Sequence, residues 1–175
     1  MTSPLEVLRA WHDFYALIGT AAATLVGLMF VAASIGAGVF TSAHQAGIRS
    51  FLSPTVVHFS LVLVLCLIAS APIESVAAMR LCLVSTGLIG LAYSGSTWWR
   101  MRYHGMSATI DLVDRILYAL LPLAVYLVLV GSGLAIPSHA VQGSDLLALA
   151  CLALLLVGIR NAWDMTLCII GRRQQ

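Results

Sequence analysis

No lysine occurs anywhere in this 175-residue chain, and only seven of its residues are acidic. Charged residues make up 9% of it, against roughly 25% in soluble domains. So few charges exclude an ordinary water-facing surface. The nine basic residues are all arginines, and the net charge of +2 is too small and too dispersed for a nucleic-acid footprint. No nucleic-acid partner is expected. Cysteine is scarce too. Cys66, Cys82, Cys151 and Cys168 each fall inside an apolar segment, with no CxxC pair and no Cys/His metal spacing. They read as small buried hydrophobes. A P-loop, GxSxG, HExxH and a pair of intramembrane aspartates are all missing, so no enzyme is expected. No cofactor is expected either. A bis-His haem site needs two facing imidazoles in helices, whereas His12, His44, His104 and His139 fall in loops or at helix ends.

Hydrocarbon takes the place of charge: 61% of the residues are hydrophobic. A membrane-spanning helix needs about 20 mainly apolar residues, and five stretches qualify, at about 12–40, 54–72, 75–100, 111–136 and 145–170. Ser53-Pro54 reads as a cap and first helical position opening the second, which Pro72 closes. The short link 71–75, with Ser75 as a cap, makes the second and third helices antiparallel neighbours. Pro122 should kink the fourth, and Asp145 caps the fifth. The first apolar run is far longer than the roughly 7–15 residues of a signal peptide core, and its flank is not strongly basic, so it reads as a retained helix. The fold expected is an all-α membrane bundle of five transmembrane helices in one transmembrane domain.

Five crossings put the termini on opposite sides, and the arginines choose which. Arg49, Arg100, Arg102, Arg115, Arg172 and Arg173 share one side; Arg9 and Arg80 share the other. The positive-inside rule then places the C-terminus in the cytoplasm and the N-terminus outside. Trp11, Phe14 and Tyr15 would lie at the outer interface, and Phe40, Phe51, Trp98, Trp99 and Tyr103 at the inner one. Residues 4–11, with Leu5, Leu8 and Trp11 at helical spacing, read as a segment lying flat in the outer interface.

The polar residues inside these spans are few. Arg160-Asn161-Ala162-Trp163-Asp164 forms a polar knot in the last one, and a charge at membrane depth is a functional-site hypothesis by default. On a helical wheel Arg160, Trp163 and Asp164 share a side with Leu149, Ala153, Leu156 and Leu167, with Ala150 at its edge, and the two alanines suggest that this side faces protein. Arg160 and Asp164 are spaced i,i+4, but Arg before Asp is the weaker order for helix stability. A structural clamp on a neighbouring helix is the leading reading, with an ion, proton or ligand site and simple snorkelling as alternatives. His58 is the one histidine well inside a span, at a similar cytoplasmic depth. A His58–Asp164 pair or an interhelical hydrogen bond are both open to it. On the outer side Asp13, Glu74 and Arg80 lie near helix ends and read as an interfacial salt-bridge cluster. Gly19, Ala23 and Gly27 form a small-residue ridge on the first helix, answered by Thr86, Gly90 and Ser94 on the third. These ridges suit close helix packing, an oligomer contact or a pore lining.

Two stretches together carry a resemblance: 11–15 with 19–34 (WHDFY…GTAAATLVGLMFVAAS), and 160–164 (RNAWD). They resemble a group of small bacterial inner-membrane proteins, some of whose relatives carry the label "modulator of FtsH protease". The resemblance covers about a quarter of the chain. It implies a home in the bacterial inner membrane and shared polar anchors at both ends of the bundle. The function expected is a non-enzymatic polytopic membrane protein that assembles with itself or as an accessory or regulatory subunit of a membrane complex. The alternative is a small homo-oligomeric ion channel or transporter with a polar site near the cytoplasmic side. The partners expected are the lipid bilayer and either further copies of the chain or other integral membrane proteins.

Overall fold

The computed structural model describes residues 3–37, 42–103 and 120–172, and the side chains of 3–34, 54–99 and 120–164. Among them every regular element is helical: α1 Pro4–Arg9, α2 His12–Ala37, α3 Ser42–Ser70, α4 Val76–Tyr103, α5 Leu121–Ala135 and α6 Ala140–Arg172. Three of these helices are long and apolar enough to cross a membrane, over His12–Ser34, Val76–Trp99 and Ala140–Asp164. Pro54–Ser70 and Leu121–Ala135 are shorter apolar helices.

The helix limits differ from the expected ones for local reasons. α3 begins at Ser42 and carries Pro54 in its interior, not at its first turn. A missing backbone donor is tolerated where neighbouring helices support the backbone. α5 is described from Leu121, with Pro122 in its first turn and Leu120 before it already in helical backbone. The expected first half of that span, 111–119, lies outside the described residues. α6 starts at Ala140, so Asp145 sits inside it and is not its cap. The early start depends on Gly143. A β-carbon there would lie 2.8 Å from the Ile136 backbone nitrogen, so only glycine lets the first turn of α6 fold back onto the end of α5. Ser75 Oγ accepts from the Ala78 N–H at 3.3 Å and caps α4 after the short link from α3.

α3, α4, α5 and α6 form a ring in which each packs on the next and α6 returns to α3; α2 lies outside the ring against α3. The core runs along this ring through Val62, Leu65, Leu83, Val125, Leu129, Leu147 and Leu154. α2 is the most peripheral span, with only 17% of its apolar window buried, against 50% for α6.

α1 packs on the bundle. Ser3 and Glu6 close a reciprocal capping box at its start. Leu8 is buried, Leu5 and Trp11 pack on the core, and the helix contacts α6 and α3. Its apolar stripe faces the protein.

Candidate functional site

The polar interior gathers where α3, α4, α5 and α6 meet. His58 on α3 and Tyr126 on α5 are both fully enclosed, and His58 Nδ1 lies 2.8 Å from the Tyr126 hydroxyl. Tyr93 on α4 presents its ring edge-on to the imidazole, at 6.4 Å between centroids. Thr55, one turn before His58, and Asn161 on α6 are also buried. Every hydroxyl, imidazole and amide here is neutral or able to be so, which suits an interior with no water to solvate charge.

Two glycines make the room. A β-carbon at Gly90 on α4 would run into the Tyr126 ring, so the absent side chain is what seats the tyrosine beneath the imidazole. Gly158 on α6 lies against the Phe59 ring, next to His58, and lets α3 and α6 cross closely. Gly87 and Gly133 extend the same tight approach between α4 and α5, where added β-carbons would meet Val130 Cγ2 at 2.7 Å and Val84 Cγ2 at 3.0 Å. Close backbone approach through small residues is how membrane helices pack without a hydrophobic driving force between them.

A second buried tie lies towards the other end of the bundle. The fully buried Tyr15 on α2 donates its hydroxyl to the Ser144 carbonyl on α6 at 3.4 Å. This draws Tyr15 into the protein, away from the lipid interface expected for it. Cys66 on α3 and Cys151 on α6 are buried free thiols. Cys82 is half-buried, and the side chain of Cys168 lies outside those described.

The polar knot divides in two. Residues 160 and 161 are about 100° apart on a helix, so only one can point inward. Asn161 aligns with Leu147, Ala150, Leu154 and Gly158 on the buried stripe of α6. Arg160 falls with Leu149, Leu156 and Trp163 on the outward one, which corrects the expectation that the arginine side faces protein. The neutral amide goes in and the charge stays on the outer face of the helix. Arg160 Nε lies 3.5 Å from Asp164 Oδ2 on its own helix, with the two side chains 53% and 30% exposed. It therefore clamps no neighbouring helix among the described residues, and His58 pairs with Tyr126, not with Asp164.

The outer cluster is not assembled. Asp13, Glu74 and Arg80 are all exposed, and none joins an ion pair among the described residues. Gly19, Ala23 and Gly27 are not one contact surface either. A step of four residues advances a helix by about 40°, so the ridge winds out of the bundle. A β-carbon at Gly19 would lie 3.0 Å from Cys66 Cβ on α3, whereas Ala23 and Gly27 face outward and a β-carbon at Gly27 would meet nothing within 4 Å. Gly90 packs on α5, not on α2. Among the described residues no three His, Cys, Asp or Glu side chains converge as a metal would require.

Tyr126, Tyr93 and Tyr15 are the site residues that sequence reasoning missed. One signal was available: a buried tyrosine hydroxyl needs a partner, and Tyr126 is the only tyrosine in the middle of its span. The chain matches no family model, no curated protein and no solved structure.

Proposed function

We propose that this is a non-enzymatic polytopic membrane protein of five spans that assembles with further copies of itself. The carrying observation is the outward stripe of α2, Thr20, Ala23, Thr24, Gly27, Val31 and Ser34, all exposed in the single chain. A run of small residues left on the surface of a membrane helix admits another backbone closely. Its hydroxyls favour a dry contact over a pore lining. Thr20 donates to the Ala16 carbonyl at 2.8 Å, Thr24 to Thr20 at 2.9 Å and Ser34 to Phe30 at 2.8 Å. Each is satisfied on its own helix and asks for no water. His58 is likewise closed in by Tyr126, so the interior serves to tie helices and not to conduct. The arginine count supports a cytoplasmic C-terminus, and the resemblance of the two motifs supports a home in the bacterial inner membrane.

The test is molar mass in mild detergent by light scattering. The wild-type chain is expected to run as more than one copy, and Gly27→Leu as a monomer with unchanged helicity and melting, because the new side chain enters open space within the chain. A wild-type monomer that copurifies with a larger complex transfers the ridge contact to that partner and makes the chain an accessory subunit. A lone monomer, unaltered by Gly27→Leu, contradicts the reading.

A further inference from the structure

The polar knot carries a separate inference, independent of whether the chain self-assembles. Arg160 and Asn161, with Leu121, Leu156 and Val157, line an open groove of about 180 Å³ where the start of α5 meets α6. Apart from the two polar side chains at its end, its walls are hydrocarbon. The Arg160–Asp164 contact is an ion pair at 3.5 Å and no more: Asp164 Oδ2 has no hydrogen-bond partner. Charge-assisted hydrogen bonds are shorter, about 2.7–2.9 Å. The guanidinium, half exposed, thus has its donors uncommitted among the described residues.

Depth matters as much as charge. Arg160 lies 20 residues beyond Ala140, about 30 Å along the helix, which is the thickness of a bilayer's hydrocarbon core. With the hydrocarbon core taken to begin at Ala140, Arg160 stands at headgroup level. Trp163, 62% exposed and one turn further on, suits that level as well. A cation at phosphate depth, at the end of an open apolar groove, fits a molecule with an anionic head and a hydrocarbon tail.

We propose that this groove binds one anionic phospholipid, its phosphate held by Arg160 and one acyl chain laid along Leu121, Leu156 and Val157. Guanidinium presents a planar fork of donors that a phosphate accepts in pairs. Asp164 sits on the Nε side and keeps the pair neutral overall, so a small free anion gains little there. The acyl contact supplies what the charge alone does not.

Native mass spectrometry of the purified, delipidated full chain tests this, with phosphatidylglycerol, phosphatidylcholine and inorganic phosphate as separate probes. Phosphatidylglycerol is expected to be retained about tenfold better than phosphatidylcholine, a difference of one decade in affinity. Arg160→Gln is expected to abolish that preference. The pair Arg160→Gln with Asp164→Asn removes both charges, so it should keep the wild-type melting temperature and still lose the preference, separating binding from folding. Leu156→Trp, at an exposed position on the groove wall, should weaken retention of phosphatidylglycerol with Arg160 intact. Equal retention of the two lipids by the wild type overturns the proposal. So does an undiminished preference in the double variant, or displacement of the lipid by millimolar inorganic phosphate.

Discussion

Gly158→Leu is expected to be among the most damaging single substitutions in the interior. The first added carbon already runs into the Phe59 ring, and two further ring atoms lie at 2.9 and 3.0 Å from it. Phe59 is fully buried beside His58, so its ring has nowhere to swing. Relief would require α3 and α6 to move apart, which loosens the ring of helices at the contact that closes it. Overpacking of this kind costs about 3 kcal/mol when the neighbour cannot yield. Gly131→Leu provides the contrast, because a β-carbon there meets nothing within 4 Å. Thermal unfolding in detergent should show a large drop for Gly158→Leu and almost none for Gly131→Leu, with Phe59→Ala restoring part of the loss in the double variant. Equal tolerance of the two leucines would mean that α3 and α6 do not cross at Gly158.

Tyr126 separates packing from hydrogen bonding at the polar site. Tyr126→Ala should cost about 3–5 kcal/mol, as for other large aromatic residues cut from a core. The ring fills the space left open by Gly90. Tyr126→Phe keeps the ring and removes only the partner of His58 Nδ1. Hydrogen bonds between membrane helices are worth about 1 kcal/mol, so packing dominates the site's stability. Adding His58→Leu to Tyr126→Phe should cost less than the sum of the two single changes, since the donor and acceptor are then lost together. Unfolding free energies of the four variants form the necessary cycle. Strict additivity would show that the 2.8 Å contact carries no coupling.

The spans were legible because long apolar runs admit few other readings; α2, α4 and α6 coincide with three of them. Their starts were less so. Asp145 is a good capping residue, but local capping gave way to the fit of Gly143 against Ile136, a contact between two helices that no window of sequence contains. The polar knot was found and its orientation was inverted. A wheel fixes the angle between Arg160 and Asn161 and leaves open which of them faces in. Two alanines favoured the arginine side, while Gly158 and Cys151 on the other stripe marked the true contact. The partner of His58 was out of reach for a related reason. Tyr126 is 68 residues away, and the register between α3 and α5 is set by glycines on α4 and α6 that act through shape alone. The ridge on α2 was read as one surface, and it is two, because four-residue steps drift around a helix.

Cysteine cross-linking in native membranes tests most directly whether the outward stripe of α2 joins two copies. Gly27→Cys and Ala23→Cys place thiols on that stripe, and Leu149→Cys places one on the exposed face of α6, where the leucine is 60% exposed. Under mild oxidation the two α2 variants should give a covalent species of twice the chain mass, well above the wild-type background of native cysteines, and Leu149→Cys should not. If Gly27→Cys and Ala23→Cys cross-link no better than Leu149→Cys, the stripe faces lipid and self-assembly through α2 is wrong.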